Sequence, residues 1–230
     1  MSWKPAKRNR RGSRAGDHGA ANDGPLDPLT RFLQLGLPVV PAAATSGGSC
    51  TCDRVGCPTP GAHPLSRAWQ SEASVEPEQL ARWRVRHPEA NYVSPTGRTH
   101  DVLDVPAEAG ERALQQILVA GTGLSPVAEA DGRYLFFTAP RIHFDLDGLE
   151  EDADEWWSSE LDCRPETLQE HPGLRWHDRG SYVPVPPSVS LSGRKARWVY
   201  WPVEGTPLPD ALVVLGFLAD VLTDCPAEAA

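Results

Sequence analysis

The chain has 230 residues, 40% hydrophobic and 23% charged, with a formal net charge of −9. This length carries one sizeable core or a core with a small appended module. Three function classes are set aside at the start. No apolar run approaches the ~20 residues of a membrane span, five cysteines with three in one cluster do not read as a disulfide framework, and net acidity argues against a simple electrostatic grip on a phosphate backbone.

Residues 1–24 read as a disordered tail of Gly, Ala, Asn and charge without periodicity. Lys4, Lys7, Arg8, Arg10, Arg11 and Arg14 against Asp17 give residues 1–18 a charge of +5 and leave −14 for the rest. No apolar stretch follows these basic residues, so they are not a secretory signal, and a cytoplasmic protein is expected. A basic arm on an acidic body suits contact with nucleic acid; a solvated tail is the alternative. The folded part is expected over 25–225, with a Cys/His loop at 45–65 inserted in it and a short tail at 226–230.

"LDPLTRFLQLG" predicts a short amphipathic helix, capped by Asp27, opened by Pro28 and closed at Gly36. "LPVVPA" follows as a strand. "SVEPEQLARWRVRHP" predicts a second helix, with Ser74 as cap, Pro77 in the first turn, and Leu80, Trp83 and Val85 as apolar contacts. "NYVS" and "HDVLDV" read as strands flanking a turn at Thr96–Gly97. "AEAGERALQQILVAG" reads as a helix ending at Gly121, and "RYLFFT" as a buried strand. "SYVPVPP" and "ARWVYWP" are late strands, and alternation would put Trp198 and Tyr200 on one core-facing side. "LPDALVVLGFLADVL" closes the chain as an apolar-faced helix. Strands and helices mix without strict alternation of the two, so the fold class is α+β.

Between them lies "CTCDRVGCPTPGAHP", spaced Cys50-x-Cys52-x4-Cys57-x5-His63. Three thiolates and one imidazole form the set of a closed tetrahedral zinc site. Val55 is the one aliphatic residue larger than Ala between Cys50 and Pro64, so metal would supply the order that apolar burial cannot. Four protein ligands leave no open position, which makes the zinc structural. A metal-free reduced loop and a Cys-x-Cys redox pair are the alternatives.

Several segments, in order, resemble the N-terminal domain of bifunctional DNA primase–polymerases. They are the opening helix with "GLPVVPA", the Cys/His insert ending in "GAHPLSRAW", the helix "EPEQLARWRVRHPEAN", "NYVSPTG", "LDV" at 103–105, "RYLFF", and "GSYVPVPPSVSLSGRKARWVYW". The resemblance spans about 26–202 and implies a primase–polymerase-like domain. It also implies nucleotidyl transfer, in which magnesium or manganese ions held by clustered carboxylates align a 3′-hydroxyl with an α-phosphate. Asp104 fits the first acid. The family's partner acid falls on Pro106, its His on Tyr134 and its later Asp on Arg175, with Asp178 three residues further on. The expectation is therefore a relative that keeps the scaffold and has lost most catalytic metal ligands. It would bind nucleic acid or nucleotide through Arg194, Lys195 and Arg197 and through the basic arm, within a replication-associated or regulatory complex.

Two other readings follow from the residues themselves. In "IHFDLDG", a strand would project Asp145 and Asp147 with His143 to one face. Beside Asp104 they would supply the acids of an active, metal-dependent primase/polymerase; an exposed acidic edge is the simpler reading. The acidic stretch 150–162, which includes Trp156 and Trp157, would make the domain a protein-interaction module.

Overall fold

The computed structural model describes residues 27–124, 126–141, 163, 165–202 and 205–223. The chain opens with α1 (Pro28–Leu33), where the Asp27 carboxylate accepts from the Thr30 amide at 3.0 Å and the Thr30 hydroxyl at 2.8 Å. Strand β1 (Val40–Ala42) leads to a small hairpin of β2 (Thr45–Ser46) and β3 (Ser49–Cys50), then a one-turn α2 (Trp69–Glu72). Helix α3 (Pro77–Arg86) starts at its proline. Ser74 serves the turn before it, its hydroxyl accepting from the Glu76 amide at 3.1 Å. Leu80 and Trp83 are buried, but Val85 is 86% exposed. Two residues turn a helix by about 200°, which carries Val85 to the solvent side of Trp83.

The second half holds β4 (Asn91–Pro95), β5 (Asp101–Pro106), α4 (Ala107–Ala120), β6 (Val127–Ala130), β7 (Arg133–Thr138), β8 (Glu166–Thr167), β9 (Arg175–His177), β10 (Tyr182–Pro184), β11 (Arg197–Tyr200) and α5 (Ala211–Thr223). Six strands form an antiparallel sheet in the order β11-β6-β7-β5-β9-β8, and three form a smaller one in the order β1-β4-β10. Among the described residues no helix is long and apolar enough to cross a membrane. Helices and antiparallel sheets are thus combined as the α+β class expects.

Strand alternation divides the interior into two layers. Leu103, Val105, Tyr134, Phe136 and Trp176 turn to one face of the large sheet, under α4 and α5. Val102, Leu135 and Phe137 turn to the other, against α1, α3 and the small sheet. Helix α4 lies close because Ala109, Gly110 and Ala113 carry little or no side chain; a Cβ on Gly110 would come within 2.3 Å of the Tyr134 side chain. Trp198 and Tyr200 part company. A bulge between them shifts the β11–β6 register, so Trp198 stacks on Phe32 in the layer facing α1 and α3 while Tyr200 packs in the layer under α4 and α5.

The segment "YVPVPPS" holds to β4 of the small sheet partly through side-chain chemistry. Prolines have no amide to donate, and Ser188 supplies what Pro186 and Pro187 cannot. Its hydroxyl accepts from the Tyr92 amide at 2.9 Å and donates to the Tyr92 carbonyl at 2.8 Å, extending the β4–β10 pairing beyond Pro184.

His100 sits fully buried behind this layer, its ring 5.4 Å from that of Phe137, with Thr99 and Ser94 hydroxyls on its two nitrogens. Burial pushes its pKa down to about 3. The unfolded chain then binds a proton at His100 that the folded chain refuses between about pH 6.5 and 3. Stability is expected to fall as pH drops through that window, by up to about 1.4 kcal/mol per pH unit from this group. Urea melts of wild type and His100→Asn between pH 7 and 4 check this; the variant should have the flatter profile.

Candidate functional site

Asp104 lies at the middle of β5, between β7 and β9, and is 4% exposed. Its register partners are Leu135 and Arg175. Arg133, two residues from Leu135, shares the face of Asp104, and so does His177, two residues from Arg175. Arg133 donates through Nε to Asp104 Oδ1, and its Nη2 donates to the Asp104 carbonyl at 3.2 Å and the Gly173 carbonyl at 2.7 Å. His177 Nε2 donates to Asp104 Oδ2 at 3.0 Å. Both carboxylate oxygens are therefore held by cationic partners.

The electrostatics agree with the geometry. Burial pushes the Asp104 carboxyl up, but the His177 bond and charge, together with Arg133, outweigh it and hold the carboxyl below its usual range. Burial likewise pushes His177 down, and the Asp104 bond, aided by Cys163, outweighs it and lifts the imidazole to about 9. His177 Nδ1 meets Ser181 Oγ at 2.8 Å, which itself meets Cys163 Sγ at 2.9 Å. At neutral pH the centre is an aspartate between a guanidinium and an imidazolium.

This group forms the floor of a cavity of about 570 Å³, whose walls include Pro58–Ala62, Asp131, Arg175, Ser188–Leu191 and Arg194. Arg175 is exposed and makes no ion pair among the described residues. Arg194 Nη2 lies 3.2 Å from Asp131 Oδ1 at the tip of the β6–β7 turn. Arg197 pairs with Glu129, and Lys195, exposed, reaches Val189 through its backbone bridge. Of the three basic residues singled out in the hairpin, Arg194 is thus the one on the cavity wall.

Tyr134 and Asp178 lie elsewhere. Tyr134 turns to the opposite face of β7 and is sealed against Gly110. Asp178 follows β9 and pairs with Arg141, whose guanidinium also meets Glu166 and stacks 4.5 Å from the Trp176 ring. Pro106 shares the Asp104 face of β5 and is exposed. His143, Asp145, Asp147, the basic arm and the acidic stretch 150–162 fall outside the described residues.

Cys50, Cys52, Cys57 and His63 converge, one donor atom of each lying within 4.8 Å of every other. Cys50 Sγ and His63 Nε2 are 3.4 Å apart, close to the roughly 3.5 Å edge expected of a tetrahedron with ordinary Zn–S and Zn–N bonds. His63 is 2% exposed, and its Nδ1 donates to the Pro64 carbonyl at 2.9 Å, which leaves the Nε2 lone pair free to face the thiolates. The Gly61 amide donates to Cys50 Sγ at 3.4 Å. Burial raises the Cys50 thiol, but this amide, with Cys52 and His63, outweighs it and brings the pKa to about 6. The donor set fits zinc, which would lock a loop that has no apolar core of its own.

Arg133 and His177 went unread in the sequence as partners of Asp104. The signal was present in "RWH", where alternation sets Arg175 and His177 on one side. The missing information was the pairing of that strand with β5.

Residues 29–211 match the family described as bifunctional DNA primase/polymerase, N-terminal. No curated protein matches the chain.

Proposed function

Because the chain belongs to the bifunctional DNA primase/polymerase N-terminal family, we propose that it is a non-polymerising member that binds a phosphate-bearing ligand, a nucleotide or a single-stranded nucleic acid end, in the 570 Å³ cavity. The observation that carries this reading is the state of Asp104, whose two oxygens already accept from Arg133 and His177. Two-metal transfer needs several free carboxylate oxygens in a near-octahedral arrangement. Here the neighbouring positions hold Pro106 and Arg175. Magnesium or manganese is accordingly given no role on the described residues.

Arg175 gives the cavity a different chemistry. A guanidinium with no ion pair among the described residues, standing where the resemblance places a metal-binding acid, attracts a phosphate directly, without a bridging cation. The cavity volume is within the range of small-molecule sites. Arg194 extends the basic wall, and the arm at 1–18 adds charge for a longer strand. The zinc loop stiffens one side. The setting we envisage is cytoplasmic, in a replication-associated or regulatory complex.

The test is a primer-extension assay with magnesium or manganese, run beside nucleotide and oligonucleotide binding in magnesium-free buffer. No extension is expected, while binding survives without divalent ion and weakens at least tenfold in Arg175→Glu. Robust synthesis that Asp104→Ala abolishes would refute the proposal and favour the reading with Asp104, Asp145 and Asp147. Loss of all retention at low salt would favour a protein-interaction module instead.

A further inference from the structure

Gly61 stands in both the Cys/His cluster and the cavity. Its amide donates to Cys50 Sγ at 3.4 Å. Its carbonyl accepts from Asn91 Nδ2 at 2.7 Å. The same Nδ2 donates to the Val189 carbonyl at 2.8 Å, and Asn91 Oδ1 accepts from the Val189 amide at 2.9 Å. One carboxamide thus ties the metal loop to the strap that enters the 192–197 hairpin. Gly61 and Val189 both line the cavity. Beside them the Thr45 hydroxyl of the small hairpin donates to the Ser190 carbonyl at 3.4 Å.

The join is tight. Gly61 has φ +73, and a Cβ there would lie 2.4 Å from Thr45 Cγ2. Asn91 is 6% exposed, so its polar atoms have little recourse to water if either partner leaves.

We infer that Asn91 is a positioning residue, coupling metal at Cys50, Cys52, Cys57 and His63 to the placement of the cavity wall at 188–196. With metal bound, the loop holds the Gly61 carbonyl where Asn91 needs an acceptor. Without it, the loop has no apolar anchor, Asn91 loses a buried partner, and the Val189 clamp loosens. Coupling of this kind is reciprocal: weakening the clamp weakens the metal. The inference rests on metal occupancy of the four ligands and on no assumption about what fills the cavity.

The experiment uses the full zinc-loaded chain. Zinc stoichiometry comes first; a wild-type chain that takes up no zinc overturns the metal reading, and the coupling with it. Amide hydrogen exchange is then followed by mass spectrometry, with and without chelator, in wild type and Asn91→Asp. In wild type, chelation should speed exchange over 188–197 at least tenfold, relative to peptides from β5 and β7. Asn91→Asp should bind zinc one to one, exchange rapidly over 188–197 even when loaded, and gain less than twofold on chelation. Its zinc affinity, by competition with a colorimetric chelator, should fall at least fivefold although no ligand is altered. One-to-one zinc with exchange over 188–197 that ignores chelation, or unchanged zinc affinity in Asn91→Asp, overturns the inference.

Discussion

Asp104→Ala is expected to lower stability by about 3–5 kcal/mol, the usual penalty for removing one partner of a buried ion pair. Asp104 is 4% exposed and carries two cationic neighbours. Without it, the Arg133 guanidinium keeps the Gly173 and residue-104 carbonyls but loses its counter-charge. The His177 imidazolium loses the group that holds its pKa at about 9, and reverts to a buried neutral ring. Domains are stable by about 5–15 kcal/mol in all, so this loss should be plain in a urea melt. The sign of the effect also separates the two functional readings. In a working two-metal centre, clustered carboxylates repel one another when metal is absent, and removing one relieves strain. A raised or unchanged urea midpoint in Asp104→Ala would therefore contradict the paired aspartate. Asp104→Asn should lose less, because the amide oxygen still accepts one of the two bonds.

Removing metal from the Cys/His cluster should produce the second large change. At free zinc a thousand times its dissociation constant, binding to the folded state alone contributes about 4 kcal/mol. For a chain of this size that corresponds to a melting shift of roughly 8–16 °C. The two main apolar layers contain no residue between Cys50 and His63, so the domain should remain folded and unfold cooperatively at the lower temperature. Small zinc fingers behave differently, because they have no core apart from the metal. Differential scanning calorimetry of zinc-loaded, chelated and Cys57→Ser protein checks this: the last two should coincide. Equal melting temperatures for all three would leave no stabilising metal at the cluster.

The parts of this architecture that could be read in advance are local ones. The α1 cap needs Asp27 and Thr30, three residues apart. The four Cys/His donors fall within fourteen consecutive positions, so their convergence depends on one loop. The α+β class follows from segments whose periodicity is visible one at a time. The Asp104 centre is different. Its partners come from 29 and 73 residues away, and they meet through the pairing of β5 with β7 and β9. A shift of one residue in either pairing would turn Arg133 or His177 to the other face. Trp198 and Tyr200 show the same limit on a smaller scale: uniform alternation places them together, and one bulged residue separates them.

The paired aspartate also bears on attempts to build a two-metal centre on this scaffold. Exchanging Arg175 for an acid would set a second carboxylate across from Asp104, yet the first would remain tied to Arg133 and His177. Both cations would have to be replaced as well. A histidine installed at 134 would point into the packing beneath α4, away from any incoming triphosphate. A two-metal centre at Asp104 would thus take at least three coordinated substitutions on two strands, Arg133 on β7 and Arg175 and His177 on β9, and exchanging Arg175 alone would set a second acid beside an aspartate already paired.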